Sequence, residues 1–132
     1  MPHKNDIYIT FRLQKAYKNL ADAQLLYNNE RYLATLNRCY YAIFNAAKAL
    51  LAHQNINIRK HIKVKKRFIS HYITTQQLPQ VLGEIFVQAE ELRSSADYKD
   101  DFDVSTIDMT KHLKNTYFFV ETIEKVLQTK AW

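Results

Sequence analysis

Apolar residues recur along this chain with the 3.6-residue period of a helix, in four long stretches and one short one. Ile9, Leu13, Ala16, Leu20, Ala23 and Tyr27 share one face of a first predicted helix. The polar connection YNNER follows. A second stripe of Leu33, Leu36, Tyr40, Phe44, Ala47 and Leu51 predicts a helix over about 31–53. HQNINIRK reads as a loop. Val64, Phe68 and Tyr72 mark a shorter third helix that stops before Pro79. A fourth opens near Pro79, whose fixed φ suits a first turn, and is expected to bury Val81, Ile85, Ala89, Leu92 and Ala96. After the loop YKDDFDV, Ser105 and Asp108 are spaced as a capping box for a last helix. Met109, Leu113, Tyr117, Val120, Ile123 and Leu127 line one face of it, and Phe118 and Phe119 lie well off that face. Either the last helix is central, or a second chain covers those rings.

Composition supports the same architecture. The chain has one glycine and two prolines, Pro2 and Pro79, in 132 residues. Sheet proteins of this size need many turns, and turns consume Gly and Pro. The expected fold is therefore all-α, a single domain spanning 1–132 and long enough to bury a core. Cys39 is alone, so no intrachain disulfide forms and a reducing compartment fits. MPHKNDIYIT lacks the unbroken apolar run of a leader, and no later run is long enough to cross a bilayer. A cytoplasmic protein with no membrane partner is expected. The net charge of +6 permits an anionic partner such as RNA and says nothing about fold.

The stretch EELRSSADYKDD, residues 90–101, carries the most specific chemistry. On a helical wheel Arg93 projects between Leu82 and Phe86, at the edge of the apolar arc. A guanidinium there loses water and needs partners. Asp97, four residues on, and Glu90, three residues back, are both within reach along a helix. Tyr98 points far from Arg93 if the helix continues, and the two converge only if it ends or bends between them. Arg93 with Asp97 reads as a half-buried ion pair locking a helix end, or as part of a site.

Two further groups bear on binding. Arg38, Tyr41, Asn45 and Lys48 form a second stripe on the second helix, either a hydrogen-bonded packing element or the wall of a polar cavity. RKHIKVKKR, residues 59–67, holds six cations (Arg59, Lys60, Lys63, Lys65, Lys66 and Arg67) and His61, with no acid among them. It reads as a solvated run, as a partner for the DYKDDFD acids, or as a salt-sensitive contact to phosphates. The five histidines show no metal-ligand spacing, DYKDDFD lacks the glycine and terminal glutamate of a calcium loop, and no Gly-rich phosphate loop is present. No metal and no cofactor is expected.

RYLATLNRCYYAIFNAAKALL, the basic-x-His step at Arg59 to His61, LRSSADY and a long closing helix together resemble a branch of the HEPN domain family, over most of the chain. The residues that carry the likeness are Arg38, Tyr40, Tyr41, Ala42, Phe44, Ala46, Ala49, Leu50 and Leu51, with the R-x-x-ADY run from Arg93 to Tyr98. The resemblance implies a four- to five-helix up-and-down bundle that forms a homodimer. It also implies a toxin–antitoxin-like pairing with a minimal nucleotidyltransferase as antitoxin. Many such proteins are metal-independent ribonucleases whose motif is an arginine, four to six variable residues and a histidine. Arg93 matches that arginine. The histidine position holds Tyr98 at the shorter spacing and Asp100 at the longer one. Three functions stand open: a module binding RNA, a nucleotide or a partner; a ribonuclease using Arg93 with Tyr98 or His61; and a helical dimer in which Arg93 is structural.

Overall fold

A computed structural model describes residues 5–129, and all regular structure among them is helical. The stretch read for a leader therefore lies partly outside the described residues. Five helices follow one another: α1 (Asp6–Asn28), α2 (Tyr32–His53), α3 (Val64–Phe68), α4 (Gln80–Tyr98) and α5 (Met109–Thr129). α3 is preceded by a 3-10 turn, His61–Lys63, and runs on into one wide π turn, Ile69–Ile73.

α2 is the centre of the bundle. It packs against α1, α3, α4 and α5, and buries residues on most of its circumference. Small side chains make this possible. Ala42, Ala46, Ala49 and Ala52 on α2, with Ala16 and Ala23 on α1, let backbones approach closely, while Leu20, Leu36, Ile43 and Leu50 fill the spaces between. On the other side a ring cluster forms. Phe68 lies with its ring centroid 5.4 Å from Phe119 and 5.6 Å from Phe86. Tyr72, fully buried, donates its hydroxyl to the Leu50 carbonyl at 3.0 Å. Removing one of these rings costs about 3–5 kcal/mol.

With so little glycine, helix ends are closed by other residues. Glu30, Asn55 and Gln76 take the left-handed conformation, with φ of 59°, 61° and 64°, at about 1–2 kcal/mol each for a residue with a Cβ. The single glycine serves a close approach instead. A Cβ on Gly83 would stand 3.2 Å from Ile73 Cγ1 and Cγ2, so the residue lets α4 lie tightly on the π turn.

Several expectations need correction. Leu33 is 52% and Val81 44% exposed, although Thr35 and Leu82 in the same first turns are fully buried, so each lies off the face that its helix turns to the core. Ser105 does not cap α5. It lies in a 3-10 turn, Val104–Thr106, with its backbone N–H and hydroxyl both donating to Asp103, while Asp108 accepts from the Lys111 N–H at 3.1 Å and is the capping side chain. The two off-face phenylalanines divide. Phe119 is fully buried in the ring cluster and Phe118 is half exposed.

Candidate functional site

The HIK turn carries His61 against α2 just where α4 presents Arg93. Arg93 lies at the edge of the buried arc of α4, and its side chain is 22% exposed. Its guanidinium carbon stands 5.2 Å from the ring centroid of Tyr40 and 5.5 Å from that of Tyr41. These rings hold the cation by their negative faces. Its polar contacts are weaker. Nη2 donates to the Tyr41 hydroxyl at a long 3.4 Å. Nε is 3.3 Å from Asp97 Oδ2, yet the N–H does not point at that oxygen, so the pair is electrostatic without an aligned hydrogen bond. This guanidinium is positioned by rings and left with donor capacity.

His61 completes the group. Its ring stacks on Phe44 at 4.2 Å and lies 5.8 Å from Tyr40 and 5.6 Å from Tyr41, the two rings that Arg93 touches. Partial burial and then the Arg93 charge hold the imidazole below its ordinary pKa, against an opposing pull from Glu90. At neutral pH it is neutral and able to accept a proton. Burial pushes the Tyr40 phenol up to about 12, which leaves it a wall rather than a proton donor. Tyr40, His61, Arg93, Ser94, Ser95 and Lys99 line one open pocket of about 590 Å³, together with the two acids Glu90 and Glu91.

The other expected residues fall on both sides of this line. Asp97 joins Arg93 through the i,i+4 spacing. Glu90 does not; it pairs with Lys65 at 2.5 Å, so this member of the basic run meets α4 rather than the DYKDDFD acids. Arg59, Lys60, Lys63, Lys66 and Arg67 are exposed. α4 runs unbroken to Tyr98, so the bend that would bring this tyrosine to Arg93 is absent, and its side chain is 76% exposed. On α2, Arg38 donates to Asn37 and Asn19 and lies over the Tyr41 ring, Asn45 donates to the Tyr41 carbonyl, and Lys48 donates to the Ile58 carbonyl. Arg12 of α1 was not anticipated. It donates to Asn45 at 2.8 Å and to the Tyr8 hydroxyl at 3.0 Å. The signal was its place between Ile9 and Ala16 on the inward side of α1.

Among the described residues no three His, Cys, Asp or Glu side chains are grouped to hold a metal ion, and no helix is long and apolar enough to cross a membrane. What the fold and pocket define is an α-helical bundle in which an arginine of α4 and a histidine of the 3-10 turn meet two tyrosines of the central helix. The HEPN domain profile matches residues 9–126, and the chain belongs to that family. It is similar to two proteins of Methanocaldococcus jannaschii, each named "Putative toxin". One is 33% identical over 116 residues, covering 88% of this chain and 86% of the relative. The other is 33% identical over 118 residues, covering 89% and 80%. A UPF0332 protein of Thermotoga maritima is 28% identical over 120 residues, covering 91% of each chain.

Proposed function

We propose that this protein is the RNA-binding, toxin-side member of a cytoplasmic toxin–antitoxin-like pair, with a minimal nucleotidyltransferase as its partner, and that it works as a homodimer. The observation that carries the reading is Arg93, a guanidinium set on two tyrosine rings, incompletely hydrogen-bonded and facing an open pocket. A phosphate oxygen supplies the acceptors that Arg93 lacks. The exposed cations of residues 59–67 extend the attraction along the strand. The nucleotidyltransferase and the dimer rest on the family likeness. Binding of a single-stranded RNA by purified protein, followed at low and moderate salt, tests the reading. Affinity is expected to fall steeply with salt and to drop about 10- to 100-fold in Arg93→Ala. Equal binding by wild type and variant would defeat it.

One observation favours a second reading, that the bound strand is also cleaved. His61, rather than Tyr98, shares the pocket with Arg93 and is neutral at neutral pH. There it takes the proton of a ribose 2′-hydroxyl, and that oxygen attacks the adjoining phosphorus to form a 2′,3′-cyclic phosphate. The P–O5′ bond breaks with the 5′-oxygen taking a proton from water, while Arg93 stabilises the charge on the phosphoryl oxygens. The rate then rises with pH while His61 loses its proton, below its ordinary pKa, and is flat at neutrality. His61→Ala is expected to abolish cleavage and keep binding. Wild-type protein that binds RNA and never cuts it would leave the binding function alone.

A further inference from the structure

Beyond His61 the polar line on α2 continues. Phe44 carries His61 stacked on its ring and the Lys48 ammonium 6.0 Å from its centroid, so Lys48 neighbours the site just described. Lys48 also lines a second pocket, of about 360 Å³, between the N-terminal end of α1 and the C-terminal end of α2. Tyr8, Ile56 and three carboxamides, Asn5, Asn55 and Asn57, form its other main walls. None of the described lining residues is acidic. Arg12, outside the lining, lies over the Tyr8 ring with its guanidinium carbon 5.2 Å from the centroid.

We infer that this pocket is a nucleobase subsite, taking the base of a nucleotide next to the phosphate held at Arg93. A nucleobase has a flat π face and an edge carrying both donors and acceptors. Tyr8 offers the face, and carboxamides offer both kinds of hydrogen-bonding group. The amides are partly ordered in advance. Asn5 Nδ2 donates to the Ala52 carbonyl and to Asn55 Oδ1, both at 2.9 Å, and Asn55 holds the left-handed conformation that ends α2. The exposed Asn57 amide makes no hydrogen bond among the described residues. A purely apolar ligand would strand these groups, and a bare phosphate would leave the Tyr8 face unused. Lys48 stands seven residues from Tyr41, about 10 Å along the α2 axis, so it meets the backbone between the two subsites. The position beside Arg93 rests on the function proposed above; the pocket's own chemistry does not.

The same base can arrive on a free nucleotide or on an RNA strand, and two arms separate these. In the first, NMR spectra of the protein are followed as adenosine, guanosine, cytidine, uridine or ribose 5-phosphate is added. At least one nucleoside is expected to move the side-chain amide signals of Asn55 and Asn57, ribose 5-phosphate is not, and the response persists in Arg93→Ala. Asn57→Ala and Tyr8→Leu, with the rest of the spectrum unchanged, weaken it. In the second arm, one abasic nucleotide is moved along a bound single-stranded RNA. At one position it lowers affinity about fivefold or more, and this loss disappears in Asn57→Ala. Nucleosides that bind while no strand does would assign the pocket to free nucleotides and remove the RNA-binding function. No nucleoside response, or abasic strands bound as tightly as intact ones at every position, would overturn the subsite.

Discussion

Arg38 and Arg93 come from different helices to the same aromatic ring, with guanidinium carbons 5.4 Å and 5.5 Å from the centroid of Tyr41. What surrounds them differs. Arg38 donates from Nε and Nη2 to Asn37 Oδ1, at 3.1 Å and 2.6 Å, and from Nη1 to Asn19 at 3.2 Å. It ties α2 to α1 and has little left to give. Arg93 has one long bond to Tyr41 and an unaligned contact with Asp97, and it opens on a pocket. Residue type and ring contact are alike. On the function proposed above, hydrogen-bond satisfaction and access separate a structural arginine from a binding one.

The largest expected effect tests whether access matters as well as satisfaction. His112 is also unsatisfied, with both ring nitrogens unpartnered among the described residues, but it is only 4% exposed. Burial holds its pKa at about 4, below the ordinary histidine value of 6.5, so the fold requires the neutral ring. The unfolded chain binds the proton more readily between those values. Stability is therefore full above 6.5 and declines as pH falls towards 4, by about 3 kcal/mol at the limit. Urea unfolding at pH 7.5 and 4.5 measures this, and His112→Leu should remove most of the difference.

Next comes Arg93→Ala. Losing a charge-assisted bond of about 1.5–3 kcal/mol should weaken RNA binding about 10- to 100-fold, while thermal stability changes by less than about 1 kcal/mol. Arg38→Ala should reverse that pattern. Two asparagine oxygens lose their donors, stability drops by about 1–2 kcal/mol, and binding stays within about threefold. Both are read by melting curves beside fluorescence anisotropy with a labelled oligonucleotide. The smallest effect is that of Asp97→Asn. The contact is partly exposed and unaligned, so stability moves by under about 1 kcal/mol, and RNA binding holds or improves slightly as a competing negative charge is removed. A large loss of binding there would make Asp97 more than a neighbour.

The long helices were legible because burial on one face repeats every turn; the stripe from Leu36 to Leu51 needs no tertiary knowledge. It misplaced Leu33 and Val81 because periodicity does not say where on the wheel the buried arc is centred, and the packing puts Thr35 and Leu82 inward instead. Local spacing found Arg93 with Asp97, four residues apart. It also offered Glu90, and there a contact 25 residues away, from Lys65, took the carboxylate. His61 beside Arg93 and Arg12 beside Asn45 depend on how separate helices pack, which no single helical wheel contains. The π turn after Phe68 was equally hidden, since one extra residue in a turn leaves the apolar spacing of Val64, Phe68 and Tyr72 intact.

The most direct test of the central claim is RNA binding by wild type, Arg93→Ala and Arg38→Ala measured together across a salt series. The account predicts that wild type and Arg38→Ala bind alike, with affinity falling as salt rises, while Arg93→Ala binds more weakly than both at every salt concentration. Equal loss in both variants, or none in either, would contradict the distinction between the two arginines and with it the site.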